Sequence, residues 1–378
     1  MPTDLTGKVL EGMSRSRESN NTTVEGMMLD EGKLQQFVGK MLGDLGGATS
    51  IALVRIGHGL GLYKALEGAA PMTSAEFASK ANIAERYARE WLSHQAASGY
   101  IIYDPACDTF ELPPEQAMVF ANENSPFFMM GAFDAAAAMI ENQEEVGAAF
   151  KTGKGVAWGK QAGCMFCAIG KMLRPRYAAN IVSKWLPALD GVVPKLKRGA
   201  SVADVGCGTG FSTVLMAKAF PKSSFIGYDF HCGSLEQAVM HARENGVSRN
   251  TSFEIATAKD YAAEDLDLVT FFDVLHDLGD PAGAAEHVFR SLKPDGTWML
   301  MEPIAGDHLR QNLHPVGRLA YGFSTMICVP TSLSQEVGMA LGAQAGEARL
   351  TDVIKSGGFT GVRRAAETPF NMVLEVKK

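Results

Sequence analysis

Between Leu34 and Leu66 apolar residues return at helical spacing, with Ile51, Val54, Leu60 and Tyr63 among them, and the pattern predicts helices. Thr73-Ser-Ala-Glu76 has the capping-box form that starts a helix, which would run on through Phe77 to Lys80. A second helix is predicted over 84–98; it carries Tyr87, Trp91 and Leu92 and stops at Gly99. Tyr100-Ile-Ile-Tyr103, a turn at 104–108 and Thr109-Phe-Glu-Leu112 then read as a hairpin. Helix, turn, helix and short hairpin is the order of a winged helix. Residues 119–190 read as mainly helical, with Phe127, Phe128, Met130, Trp158, Phe166 and Tyr177 forming either plain core or a lid over an apolar pocket. From Ala200 short β-rich runs alternate with helices, the signature of a parallel α/β sheet.

The predicted organisation is a loose arm over 1–32, a winged-helix-like dimerisation domain over 33–118, a helical linker and lid over 119–190, and an α/β domain over 191–378. Composition agrees with a folded protein: 46% of the 378 residues are hydrophobic and 20% charged. Thirty-five basic against forty-two acidic residues give a net charge of −7, a poor match for a polyanion. The helix that a DNA-binding winged helix would use carries Glu85 and Glu90 beside Arg86 and Arg89, and the wing carries Asp104, Asp108 and Glu111. Packing or dimerisation, with no nucleic-acid partner, is therefore the expectation. No apolar run of bilayer-crossing length and no secretory leader stands out, so no membrane partner is expected. The six cysteines do not form a disulfide framework; Cys164 and Cys167 are expected to be structural thiols, in a reducing cytoplasm.

The chemistry is concentrated after Ala200. Ser201-Val-Ala-Asp-Val205 reads as a buried strand, followed at once by Gly206-Cys-Gly-Thr-Gly210 and a helix over 211–220. Such glycines let the backbone approach a ligand, and the helix start offers free N–H groups. A second strand, Ser224-Phe-Ile-Gly-Tyr228, ends in Asp229, placed to accept both ribose hydroxyl protons. The dinucleotide fingerprint places its third glycine one residue later, and Phe211 occupies the place where Gly or Ala is wanted for pyrophosphate. A cofactor without phosphates has no such need. Asp204, just before the loop, can orient it or receive an ammonium group. These features together point to S-adenosylmethionine.

Val202-Ala-Asp-Val-Gly-Cys-Gly-Thr-Gly210 resembles motif I of the class I S-adenosylmethionine-dependent methyltransferases, and the later segments follow in the same order. Leu266-Asp-Leu-Val-Thr-Phe-Phe272 resembles the fourth strand, Leu292-Lys-Pro-Asp-Gly296 the turn before the fifth, Thr297-Trp-Met-Leu-Met-Glu302 the fifth strand, and 362–366 with 371–376 the closing antiparallel pair. With its winged-helix front, the chain resembles plant-type small-molecule O-methyltransferases and a bacterial methyltransferase family of similar layout. The resemblance implies a seven-stranded Rossmann-like sheet behind a helical winged-helix domain, a homodimer, and S-adenosylmethionine as donor with S-adenosylhomocysteine as product. It further implies that Gly206, Gly208 and Gly210 line the donor, that Asp229 holds the ribose, and that Phe230, Ala258 and Lys259 flank the adenine, with Asp204 and Asp273 also in the cofactor site. The plant pattern has an acid where Ala258 stands.

In the plant-type enzymes a His at the position of His276, followed by an acid as here by Asp277, is the general base. Glu302 and Glu347 fall where two acids flank that base. No histidine has companions at metal-ligand spacing, so no metal is expected. An Asn/Asp-Pro-Pro-aromatic motif, typical of nucleic-acid amine methylation, is absent at 273–276. The expected acceptor is a small molecule, methylated at oxygen, with sulfur or nitrogen as alternatives. A ligand-sensing winged-helix regulator and a nicotinamide-dependent reductase are the competing classes; the first lacks a basic face and the second is opposed by Phe211.

Overall fold

The computed structural model describes residues 29–161 and 165–378 and divides into two compact units, 1–117 and 118–378. The expected arm over 1–32 lies almost entirely outside the described residues.

In the first unit, α1 (Glu31–Gly59) is capped by Asp30, whose carboxylate accepts the Lys33 N–H at 3.0 Å. It is followed by α2 (Leu62–Leu66), α3 (Ser74–Ala81), α4 (Glu85–Ala97) and the hairpin β1 (Ile102–Asp104) with β2 (Thr109–Glu111). The capping box forms as its residues predict: the Thr73 side chain accepts the Glu76 N–H and Glu76 accepts the Thr73 N–H. Trp91 organises the core, stacking on Phe77, meeting Tyr63 edge-on, and donating to the Leu53 carbonyl at 3.0 Å. On α4, Arg86 pairs with Glu90 and Arg89 with Glu85, so each arginine is partnered on its own helix. Against the sequence expectation, α1 is long and apolar enough, by length and composition, to cross a membrane. Glycines, polar residues and few large apolar side chains at any one turn hide this helix from a search for an unbroken apolar run.

The second unit begins within α5 (Pro114–Phe120). The helices α6 (Met130–Glu141), α7 (Gln143–Thr152), α8 (Met165–Asn180) and α9 (Val192–Arg198) precede the sheet. Segment 119–190 thus packs as part of the α/β unit. Cys167 in α8 is disulfide-bonded and not the structural thiol expected; Cys164 lies outside the described residues.

The sheet is built from β3 (Ser201–Val205), β4 (Ser224–Asp229), β5 (Thr251–Ile255), β6 (Leu266–Phe272), β7 (Leu292–Pro303), β8 (Gly361–Glu367) and β9 (Asn371–Lys377). Its seven strands run in the order β5-β4-β3-β6-β7-β9-β8, with β9 antiparallel to β7 and β8. Helices α10 (Phe211–Ala219), α11 (Cys232–Glu244), α12 (Pro281–Ser291), α13 (Pro315–Phe323), α14 (Val329–Leu333) and α15 (Gly346–Ser356) complete the unit. Side chains alternate between two cores, as strand geometry requires: Ala203, Val205, Phe271 and Leu300 on one face, Val202, Leu268, Met299 and Met301 on the other. The chain winds outward from β3 in one direction and resumes at β6 in the other. Their carboxyl ends therefore leave a crevice, the usual ligand position in an open parallel sheet.

Candidate functional site

A cavity of about 320 Å³ opens at those strand ends and is lined from the second unit. On one side lies the turn between β3 and α10. Gly206 and Gly210 have φ of 71° and 73°, in the left-handed region. A Cβ on Gly206 would stand 2.5 Å from Val274, and one on Gly210 would stand 2.7 Å from Ala238. The turn is pinned from behind. Asp204 is 1% exposed and accepts hydroxyl hydrogens from Ser212, Thr213 and Thr270 at 2.6–2.8 Å. Burial raises its pKa, and the three hydroxyls act the other way. Asp204 is therefore a brace under the loop and does not line the cavity, contrary to a direct cofactor contact.

Asp229, at the end of β4, does line it. One of its oxygens accepts Gly208 N–H at 2.9 Å and the other His231 N–H at 2.8 Å, which leaves each oxygen a lone pair for a ligand hydroxyl. Phe230 follows, half exposed at the rim. Ala258 and Lys259 are not among the lining residues. Ala258 is buried in the sheet's core, and Lys259 pairs with Asp280 and Glu336. Neither residue is brought to the cavity wall that the glycine turn and Asp229 form.

At the floor, Asp273 follows β6 with φ 56°, a conformation a non-glycine residue rarely adopts and one that concentrates at functional sites. Its Oδ1 accepts from Asn371 Nδ2 at 3.2 Å, while its Oδ2 is buried without a hydrogen-bond partner. Burial pushes its pKa up to about 7. Asn371 Oδ1 accepts in turn from Arg176 Nη1 at 2.9 Å, and that guanidinium lies 4.9 Å from the Phe370 ring centroid. Arg176 comes from α8, Asn371 from β9 and Asp273 from the β6 end, so a cation and an anion bridged by one amide face the same space.

His276 sits on a short 3-10 turn, 4% exposed. Its Nδ1 is 2.5 Å from Glu302 Oε2, at the end of β7, and Glu302 Oε1 accepts the Leu275 N–H at 2.8 Å. The opposite nitrogen, Nε2, lies 3.2 Å from Asp277 Oδ1. Burial alone would lower the His276 pKa, but Asp277 and Glu302 outweigh it and hold it well above the ordinary value. Cys328, from the segment between α13 and α14, is buried beside this pair, and desolvation pushes its thiol up to about 12. Apolar walls close the rest of the space, with Trp158, Phe166 and Met172 from one side and Leu319, Phe323 and Ile327 from the other.

Glu347 is not brought to this site. It starts α15 and pairs at 2.5 Å with Arg364 of β8, away from the cavity wall. Spacing along the chain places it correctly on its helix, but the helix turns that side toward β8. Glu347→Gln is accordingly expected to leave kcat unchanged in a steady-state assay. Reading the sequence alone missed Asn371 and underused Asp277, Cys328 and Arg176; Arg176 carried a signal, in the Arg174-Pro-Arg176-Tyr177 run.

Residues 196–336 match the family described as a methyltransferase domain, and residues 48–122 match the Rv2258c-like winged HTH domain. The chain thus carries a methyltransferase domain and an N-terminal winged helix-turn-helix domain. The ubiquinone biosynthesis O-methyltransferase of Actinobacillus pleuropneumoniae serotype 5b (strain L20) is 37% identical over 103 residues, 26% of this chain and 43% of that one. The chain therefore spans less than half the length of that curated relative. Human N-acetylserotonin methyltransferase, solved in complex with S-adenosylmethionine, is similar with a TM-score of 0.68 at 15% identity, over 93% of this chain and 99% of that one. The O-methyltransferase NcsB1 from neocarzinostatin biosynthesis, solved with S-adenosylhomocysteine and 1,4-dihydroxy-2-naphthoic acid, is similar with a TM-score of 0.57 at 16% identity, over 87% and 95% of the two chains. These likenesses bear out the expected fold.

Proposed function

We propose that this chain is an S-adenosylmethionine-dependent methyltransferase acting on a small-molecule acceptor, at oxygen. The observation that carries the reading is a single cavity joining the glycine turn and the Asp273 carboxylate to the His276–Glu302 pair.

The residues present fit the donor. Gly206 and Gly208 bring bare backbone to the cavity wall, and Asp273 Oδ2 is a buried acceptor without a hydrogen-bond partner. Asp273 would hold the ammonium, Arg176 the carboxylate, Asp229 the ribose hydroxyls and Phe230 the adenine. When bound, the donor supplies an electrophilic methyl on a sulfonium. The chain supplies alignment and a dry site, since the acceptor side is walled by aromatic and aliphatic side chains. Glu302 accepts Nδ1–H of His276 and orients the ring, so that in the neutral imidazole the lone pair is on Nε2. His276 Nε2 then accepts the acceptor's hydroxyl proton, and Glu302 stabilises the imidazolium that results. That NcsB1 was solved with a dihydroxylated aromatic acid supports a planar hydroxylated acceptor for a cavity with these walls.

A thermal-shift panel tests the assignment. S-adenosylhomocysteine is expected to raise the unfolding temperature, whereas NADH, NADPH and duplex DNA are not. No shift at millimolar S-adenosylhomocysteine would overturn it.

We also infer a homodimer, supported by Leu34, Phe37, Leu42 and Leu45 standing exposed along α1. Light scattering on a sizing column should return twice the 40.5 kDa chain mass; a monomer at micromolar concentration contradicts this.

A further inference from the structure

His276 and Asp277 leave a feature that proton acceptance alone does not use. With Nδ1–H committed to Glu302, Nε2 faces a second carboxylate oxygen, Asp277 Oδ1, 3.2 Å away. That oxygen is buried. Two carboxylates around one imidazole call for positive charge between them, supplied by a second ring proton or by a metal cation in its place. A third donor atom is already there. Cys328 Sγ, His276 Nε2 or Nδ1 and an Asp277 oxygen all lie within 4.8 Å of one another, the one such group of three among the described residues.

We infer that His276, Asp277 and Cys328 form a binding site for a thiophilic divalent cation, with Zn2+ the best match. Nitrogen, oxygen and sulfur donors together suit zinc, and at bond lengths of about 2.0–2.3 Å tetrahedral donors stand only a little closer than these do. Glu302 completes the arrangement: a metal-bound histidine ordinarily gives its other N–H to a carboxylate, which orients the ring. Three protein ligands leave a fourth position, and all three residues line the cavity, so that position opens toward the acceptor space. The histidine, a carboxylate and a thiolate carry two negative charges, which the cation neutralises inside a buried pocket. No single element carries this site. His276 and Asp277 come from the turn after β6 and Cys328 from the segment between α13 and α14, which is why ligand spacing along the chain does not display it.

The site rests on geometry and not on the methyltransferase reading, although its consequence bears on that reading: a metal on Nε2 occupies the lone pair that would accept a proton. Zinc therefore excludes His276 from acting as base, and a loaded site is a closed one.

Cobalt serves as the probe, because it reports thiolate ligation directly. The full chain is titrated with Co2+ without reductant, so that the Cys167 disulfide stays closed, and in the presence of S-adenosylhomocysteine. One equivalent is expected to produce visible d–d bands of a tetrahedral ion and a thiolate-to-cobalt band in the near ultraviolet, both displaced by one equivalent of Zn2+. Cys328→Ser should remove the thiolate band. Glu302→Gln should keep the band but weaken cobalt binding by about 10–100-fold, as loss of a carboxylate behind a ligand histidine does. Absence of the bands, or a thiolate band of equal strength in Cys328→Ser, overturns the site. If Cys328→Ser does not fold, as judged by its circular dichroism, Asp277→Asn takes its place, and unchanged cobalt affinity there overturns the site as well. A thermal shift with S-adenosylhomocysteine, run on the same sample, reports the donor site separately, so failure of one reading leaves the other measurable.

Discussion

His276→Ala is expected to lower kcat by about 10²–10⁴-fold, the usual share of a positioned proton acceptor, while the affinity for S-adenosylhomocysteine stays nearly unchanged. The separation follows from where the groups sit. His276 faces the acceptor side, and the contacts assigned to the donor are Gly206, Gly208, Asp229, Phe230, Asp273 and Arg176, so deleting the imidazole removes no donor contact. Single-turnover rates together with calorimetric titration of the product resolve the two quantities. Glu302→Gln should lower kcat less, because the amide still accepts from His276 Nδ1–H but no longer stabilises an imidazolium. Equal kcat in His276→Ala and parent would remove the base and leave a methyltransferase that works by alignment alone, as a thiol or amine acceptor would permit.

Asp273→Asn is expected to weaken S-adenosylhomocysteine by about ten- to a hundredfold, the worth of one hydrogen bond to a charged group in a buried site. The pH dependence makes this prediction specific. Burial lifts the Asp273 pKa from 3.8 to about 7, so its carboxyl is neutral below that pH and charged above it. An ammonium needs the charged form. Affinity in the parent should therefore fall as pH drops from 8 to 6, while Asp273→Asn should show a flat profile through that range. The unliganded protein should respond in the opposite sense. A group whose folded pKa is raised stabilises the fold below its unfolded pKa, and that contribution is lost as pH rises through the folded value. Asp273→Asn should accordingly melt no lower than the parent above pH 7 when no ligand is present. Parallel affinity profiles in the two proteins would show that Asp273 does not meet the ammonium.

Much of the site was readable because it is local. Gly206 and Gly208 sit between a strand and a helix that their own neighbours specify, and Asp229 ends the next strand; Gly210, the third glycine of that turn, packs against Ala238 and Phe253 and is not in the cavity wall. His276 and Glu302 were readable for a related reason. Glu302 lies at the end of β7 and His276 on the turn that follows β6, and β6 and β7 are paired in parallel, so the two meet at the same edge of the sheet. Glu347 shows the opposite case: its place at the start of a helix was correct, but which side of α15 faces the cavity depends on packing against β8, where Arg364 takes the carboxylate. Asp204 was identified as important, yet only the positions of Ser212, Thr213 and Thr270 show it bracing the loop from below.

The amino-acid sequence by itself determined the order of helices and strands, the glycine turn and the placing of His276 after β6 and Glu302 at the end of β7, because periodicity, caps and turn chemistry act over a few neighbouring residues. The tertiary structure alone decided which distant side chains share a space. Arg176, Asp273 and Asn371 span nearly two hundred positions, as do the helices and strands that carry them, and Cys328 reaches His276 across half a hundred more. Such meetings depend on how whole elements pack and rotate to bury their apolar faces. That is a property of the sum of many weak contacts, and no short stretch of residues encodes it.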